Sequence, residues 1–357
     1  MHNFKKKLQF IFKFVVSKIF IILYGKIEIS KILPNGVEVK NISIDKNFYK
    51  IINIYNGRIY TDYVENVAII KENKIISDVS YQQINGKLKD AAFNVVLKKG
   101  TPRFKKKFEH SVFSLVQGAS GNNNYFHWLF DIIPRLIILE KASLLKDIDF
   151  FYGPEIKEWQ LDTLSIFNIS KKNMIDSNKY RHIECKNLIA SSHPWYSKGY
   201  ILEEAKYLPK WIIDEVSNKF KNFEKKFDCN DKIYIDRRES QYNHCQIIND
   251  SEIKSYLLKK NFSIYQIGKL SFFEQIYLFN NAKIIIGAHG AAFANLIFCK
   301  PGTKVIDLIP EGHPNLVDKT ICKYKNLNFN LIKLKKITDD NNGDMLLSIK
   351  TLEDLII

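Results

Sequence analysis

The chain has 357 residues, 46% hydrophobic and 26% charged, with 54 Lys plus Arg against 38 Asp plus Glu and a formal charge of +16. These values exclude a disordered tail protein, a collagen-like repeat and a polytopic membrane protein, and the length fits two domains of about 150 residues. The basic balance suits an anionic partner such as a nucleotide or a phospholipid headgroup, but Lys, Ile and Asn are frequent throughout and the charge alone does not choose one.

Lys5, Lys6 and Lys7 precede an apolar run from Leu8 to Tyr24 that Lys13 and Lys18 interrupt. As a helix the run would be about 25 Å long, short of the ~30 Å hydrocarbon core. No small-x-small cleavage site follows at Tyr24-Gly25-Lys26, so a cleaved leader is not expected. On a helical wheel Lys6, Gln9, Lys13 and Ser17 oppose Leu8, Ile11, Val15, Ile19 and Ile22, with Phe10 and Phe14 intruding on the polar arc. Residues 1–25 are therefore expected to lie as a basic interfacial helix on an anionic leaflet, the alternative being a first helix packed in the core.

Residues 26–100 read as β-rich, with short segments at Ile51–Ile54, Arg58–Tyr60, Val67–Ile70 and Lys74–Ile76, and with Asn56-Gly57 and Glu72-Asn73 as hairpin turns. From Phe113 strands alternate with helix-length patterns: strands at Phe113–Val116, Ile148–Tyr152 and Leu188–Ala190, helices from Tyr125 and Glu155, and a long helix over Glu203–Phe223. A second series follows, with strands Lys232–Asp236, Phe262–Gln266, Lys283–Gly287 and Lys304–Ile309 separated by helices over 250–260, 271–281 and 291–299. Such alternation predicts βαβ units and two α/β lobes facing one another. Five cysteines (Cys185, Cys229, Cys245, Cys299, Cys322) are scattered without a C-x-x-C pair, which fits a reducing compartment and neither a disulfide framework nor a zinc site.

Three stretches carry chemistry. Asn124 to Asp131, continuing to Pro134-Arg135, follows the polar turn Gly121-Asn122-Asn123 and opens a helix that sets His127, Asp131 and Arg135 at i, i+4 and i+8 on one face. Asp131 can orient the imidazole or pair with Arg135, and Pro134 kinks the helix. The strand Lys232–Asp236 delivers Arg237 and Arg238 at its carboxyl end, where arginine can clamp a diphosphate. The strand ending at Gly287 leads through Ala288-His289-Gly290 into a helix starting at Ala291-Ala292 and containing Asn295, so that first-turn amides and small residues make an anion site. Asp307, at the end of the following strand, can accept bonds from ribose hydroxyls.

Together the blocks N-Y-F-H-W-L-F-D-I-I-P-R-L at 124–136, Y-I-D-R-R-E at 234–239 with I-I-N-D at 247–250, and G-A-H-G-A-A-F-A-N-L-I-F at 287–298 resemble glycosyltransferase family 61 in order and spacing, over roughly residues 110–330. The resemblance implies a GT-B-like α/β fold of two Rossmann-like lobes, here with a β-rich N-terminal segment, and inverting, metal-independent transfer from a nucleotide sugar. One departure stands out: Cys245-Gln246 occupies the place where many relatives carry basic residues before the Asn-Asp/Glu pair.

The expected organisation is a membrane-associating segment 1–25, an acceptor-side lobe 26–205, a nucleotide-sugar-binding lobe 206–335 and a tail 336–357. His127 or Asp131 is the expected base. Arg237, Arg238, His289, Gly290, Ala291, Ala292, Asn295 and Asp307 are expected at the donor, and Asn124, Arg135 and His193 at the acceptor or in support. No metal and no cofactor beyond the nucleotide-sugar co-substrate are expected. Asp147-Ile148-Asp149 offers a D-x-D for a metal-dependent rival, but it opens a predicted strand instead of ending one, and no spacing among His127, Asp131, His193 and His289 demands a metal. The expected function is hexosyl or pentosyl transfer to a glycan or lipid-linked acceptor in capsule or lipopolysaccharide synthesis, at the inner face of the plasma membrane. The alternative is a non-catalytic relative that binds membrane or anions. Nucleic acid is not an expected partner, since no nucleic-acid motif is present.

Overall fold

The computed structural model describes residues 2–30, 32–62, 66–118, 120, 123–195, 199–238, 244–314, 317–337 and 343–356. Gly121, Asn122 and Glu239 of the sequence blocks, and residues 338–342 and 357 of the tail, lie outside the described residues. The chain divides into two units, Met1–Lys157 with Ile169–Glu204, and Glu158–Asn168 with Ala205–Ile357.

In the first unit α1 (His2–Tyr24) leads to β1 (Glu28–Ile29), β2 (Val37–Ile44), β3 (Asn47–Thr61), β4 (Val67–Lys71) and β5 (Lys74–Ile75), then to β6 (Gln82–Ile84), β7 (Lys87–Lys89) and α2 (Val96–Lys99). After β8 (Lys106–Ser114) come α3 (Tyr125–His127), a π-helical turn over Trp128–Ile132 and α4 (Ile133–Lys141), followed by β9 (Phe150–Gly153). The chain then gives α5 (Glu158–Ser165) to the second unit and returns for β10 (Met174–Asp176), β11 (His182–Ser191), β12 (Gly199–Tyr200) and α6 (Ile201–Glu204). Nine strands form one mixed sheet in the order β1-β5-β4-β3-β11-β8-β9-β10, with β2 also paired to β3, while β12, β7 and β6 make a small second sheet.

The β-rich start and the α/β part share one sheet, and this unit differs from a simple parallel lobe. β11 runs antiparallel to β3 and parallel to β8, and so joins the two halves. Its inward residues Ile183, Cys185, Leu188 and Ala190 share one core with Ile52, Ile54 and Ile59 of β3, which rewards the long pairing. A second difference concerns Asn56-Gly57, which does not turn the chain: β3 runs unbroken through it for fifteen residues. Asn56 takes a left-handed φ of 50°, and a Cβ on Gly57 would sit 2.7 Å from Leu188 Cβ, so the glycine serves close approach of two strands. Glu72-Asn73 is a tight turn as expected, joining β4 to β5 with Glu72 at φ 53°.

The second unit contains α7 (Lys210–Phe220), β13 (Lys232–Ile235), α8 (Asp250–Lys259), β14 (Ser263–Tyr265), α9 (Phe272–Asn281), β15 (Ile284–Ala288), a 3-10 helix over Ala291–Phe298, β16 (Lys304–Pro310), α10 (Val317–Lys325), β17 (Asn328–Leu334) and α11 (Ile349–Ile356). The predicted alternation holds closely here. The five strands are all parallel, in the order β14-β13-β15-β16-β17. Numbered along this unit the order is 2-1-3-4-5, that of a doubly wound fold whose strand order reverses between β13 and β15. Ligands of such folds sit beyond the carboxyl ends of the strands flanking that reversal. Two local expectations fail. The helix expected over Glu203–Phe223 breaks between α6 and α7 because Pro209 lacks an N–H and caps the new helix. The segment after Gly290 winds as 3-10 and not α.

Candidate functional site

In the first unit Asn124 caps α3, its side-chain oxygen accepting from His127 N–H at 3.3 Å. The helix then widens into the π turn, which ends just before Pro134. Proline cannot donate to the carbonyl four residues back and crowds it, and a wider turn relieves both problems. The π turn also buries Asp131 completely while leaving His127 half-buried.

Asp131 is the hub. His127 Nδ1 lies 2.8 Å from Oδ2, Ser120 Oγ donates to Oδ2 at 2.9 Å, and Trp195 Nε1 donates to Oδ1 at 2.7 Å. His193 Nε2 stands 3.8 Å from Oδ2 and 3.5 Å from Ser120 Oγ. Burial by itself would raise the Asp131 carboxyl, but the charges and hydrogen bonds of His127 and His193 outweigh it and hold the group well below the usual carboxylate range. Burial pushes the His193 imidazole down against the pull of Asp131. An ionised carboxylate only accepts, so Nδ1 of His127 carries the proton of that contact, and Nε2 is the ring nitrogen that Asp131 does not engage.

In the second unit the loops after β13 and β15 supply the groups, on the two sides of the strand-order reversal. Arg237 donates from Nη1 to the His289 carbonyl and stands 3.3 Å from His244 Nδ1. A Cβ on Gly290 would lie 2.6 Å from Arg237 Cζ, so a side chain there would displace the guanidinium from its present place. The first bond of the 3-10 helix runs from Phe293 N–H to the Gly290 carbonyl at 3.0 Å, which leaves the amides of Ala291 and Ala292 ahead of the ladder, on half-buried residues.

Beneath them His289 Nδ1 faces two buried carboxylates, Asp318 Oδ2 at 2.9 Å and Asp307 Oδ2 at 3.4 Å. Burial would lower the imidazole, yet Asp318 and Asp307 reverse this and raise it to about 10. Burial raises the Asp307 carboxyl to about 6, against the pull of His289. Burial, and then the His289 charge, lowers the neighbouring His313, whose ring centroid is 4.9 Å away, to about 4. His289 is therefore a fixed imidazolium at neutral pH. Among the described residues, His289, Asp307 and Asp318 are also the group whose ligand atoms lie close enough together to hold a metal ion.

The structure thus brings His127, Asp131 and His193 together in one unit, and Arg237, His289, Gly290, Ala291, Ala292 and Asp307 together in the other. Three expected site residues are turned elsewhere. Arg135 is buried and donates to Ser191 Oγ at 3.2 Å and to the carbonyls of Leu115 and Ser114, so it fastens α4 to the sheet and does not pair with Asp131. Arg238 points away from Arg237 into an ion cluster, with Nη2 3.1 Å from Asp236 and Nε 3.4 Å from Asp250, while Lys254 lies 2.7 Å from Asp236. Asn295 is fully buried and donates to Gln275 Oε1 at 3.0 Å and to the Ala292 carbonyl at 3.2 Å, fixing the 3-10 helix on α9.

Sequence reasoning missed Ser120, Trp195, Asp318 and His244. Asp318 had a signal: it sits among the inward residues Val317, Ile321 and Cys322 of α10, and an acid on an apolar face needs a partner. Ser120 and Trp195 reach Asp131 from loops and carry no local signal.

A family model described as Glycosyltransferase 61 matches residues 125–306, a little over half of the chain, from the first residue of α3 into β16. No curated protein matches it.

Proposed function

The chain belongs to glycosyltransferase family 61 and is a glycosyltransferase; from that premise we propose that it catalyses inverting, metal-independent transfer of a hexose or pentose from a nucleotide sugar to a glycan or lipid-linked acceptor of a surface polysaccharide. In this reading the two units are the acceptor-side and donor-side lobes of a GT-B enzyme. The observation that carries it is the His127–Asp131 pair: a buried carboxylate saturated with donors that holds an imidazole by Nδ1 and does not engage its Nε2.

Asp131 is a poor base in this arrangement, since its oxygens are occupied by His127, Ser120 and Trp195. His127 Nε2 takes the proton of the acceptor hydroxyl, and Asp131 orients the ring and stabilises the imidazolium. The acceptor oxygen bonds to the anomeric carbon as the bond from that carbon to the diphosphate oxygen breaks, with inversion. The leaving nucleoside diphosphate carries the electron pair. Arg237 supplies the positive charge, and the amides of Ala291 and Ala292 the donors, that a departing diphosphate requires, while His289 balances the buried carboxylates of Asp307 and Asp318.

A screen of nucleotide sugars for release of free nucleoside diphosphate, with and without EDTA, tests this. Release that survives EDTA is the expected result. Activity abolished by EDTA and restored by manganese would transfer the charge-neutralising role to an ion held by His289, Asp307 and Asp318. Nucleotide binding without turnover for any sugar would favour the non-catalytic relative.

A further inference from the structure

The helix α1 docks on the first unit by one face of its last turns. Phe20 meets Phe104 edge-on at 5.2 Å, Tyr24 meets His182 edge-on at 5.3 Å, and the Tyr24 hydroxyl accepts from Lys105 N–H at 3.1 Å. Ile21 lies so close to Gly100 that a Cβ there would be 2.7 Å from Ile21 Cγ1. The sidedness is sharp: Phe20 is 9% exposed and Ile22 is 86% exposed.

At about 100° per residue Phe20, Ile21 and Tyr24 share one face. Leu8, Ile11, Phe12, Val15, Ile19 and Ile22 form a stripe roughly 100° wide on the opposite face, and all six are exposed. Lys7 and Lys18 border that stripe on one side and Lys5 on the other. No acidic residue precedes Glu28. Among the described residues no helix is long and apolar enough to cross a membrane.

We propose that α1 is held by its docked face so as to present this lysine-bordered stripe to an anionic lipid surface, on which it lies parallel to the membrane plane. The charge pattern selects the occupant. Lipid headgroups of negative sign match the bordering lysines while acyl chains take the stripe, whereas a second copy of the helix would set lysine against lysine. The inference stands on α1 and its contacts and does not depend on which reaction the enzyme performs.

The test is sedimentation of the full-length protein with vesicles of phosphatidylglycerol mixed into phosphatidylcholine, against pure phosphatidylcholine. Wild type should pellet with the anionic vesicles and be released by high salt. A variant with Lys5, Lys6, Lys7, Lys13 and Lys18 changed to Gln should bind them on the order of 10²-fold more weakly. The variant L8S/I11S/V15S should lose binding to both compositions. Unchanged melting by circular dichroism shows that neither variant is unfolded. Equal binding to neutral vesicles, insensitive to salt, would overturn the proposal. So would self-association of wild type in the absence of lipid that L8S/I11S/V15S abolishes, which would assign the stripe to a second copy.

Discussion

Each unit sets a histidine against buried aspartate, and the two clusters do opposite things with the proton. Around Asp131 one carboxylate faces several donors, so the acid stays ionised and holds His127 through Nδ1 alone. Around His289 one imidazole faces two carboxylates, so the ring stays charged and cannot serve as a base. The ratio of acids to donors, more than the residue types, decides whether a buried His–Asp contact makes a base or a fixed cation.

The strongest way to break this contrast is at His127. H127A should lower kcat by on the order of 10²–10⁴-fold while leaving nucleoside diphosphate affinity intact, as measured by steady-state rates and calorimetry. D131N should lose much of the same activity, because the amide can no longer hold Nδ1–H as an ionised acceptor does. Near-full turnover in both variants would make the first cluster structural.

A smaller effect is expected at Arg237. R237A should weaken nucleoside diphosphate binding by about 10–100-fold, the range of a lost charge-assisted contact. R238A should change it by less than about threefold, since that exposed side chain is committed to Asp236. Equal losses would mean that both arginines reach the donor.

The finest test uses pH. The His289 imidazole, at about 10 when folded, is raised above the ~6.5 of an unfolded chain, so its stabilisation is complete below about pH 6.5 and is lost as pH rises toward 10. Asp131 is depressed, so its contribution is present above about pH 4 and is lost on acidification. In denaturant unfolding, the gap between wild type and H289Q should therefore close toward alkaline pH, and that between wild type and D131N toward acid. Gaps that ignore pH would reduce both clusters to packing.

The second unit was legible from β13 to β16, where short apolar runs alternate with helix-length patterns as a parallel sheet buried on both faces requires, but α10, β17 and α11 were not read, β17 being a mixed run of largely half-buried residues. The first unit was not. A fifteen-residue strand through Asn56-Gly57 looks locally like two strands and a turn, and only the pairing with β11 decides otherwise. The candidate site divides in the same way. His127, Asp131, Arg237 and His289 announce themselves by their spacing on a helix or by their place at the end of a strand.

The linear chain by itself determined the alternation of the second unit, the helical spacing of His127 and Asp131, the basic apolar first helix and the family to which the blocks at 124–136, 234–239 and 287–298 belong. All of these are properties of neighbours in sequence. Only the tertiary structure decided which carboxylate is saturated, which imidazole is charged, that Arg237 and Arg238 part company, and which face of α1 is docked. Those outcomes depend on Ser120, Trp195, Asp318 and Gly100 arriving from distant segments, and a proton's place in a buried cluster is set by every group that surrounds it.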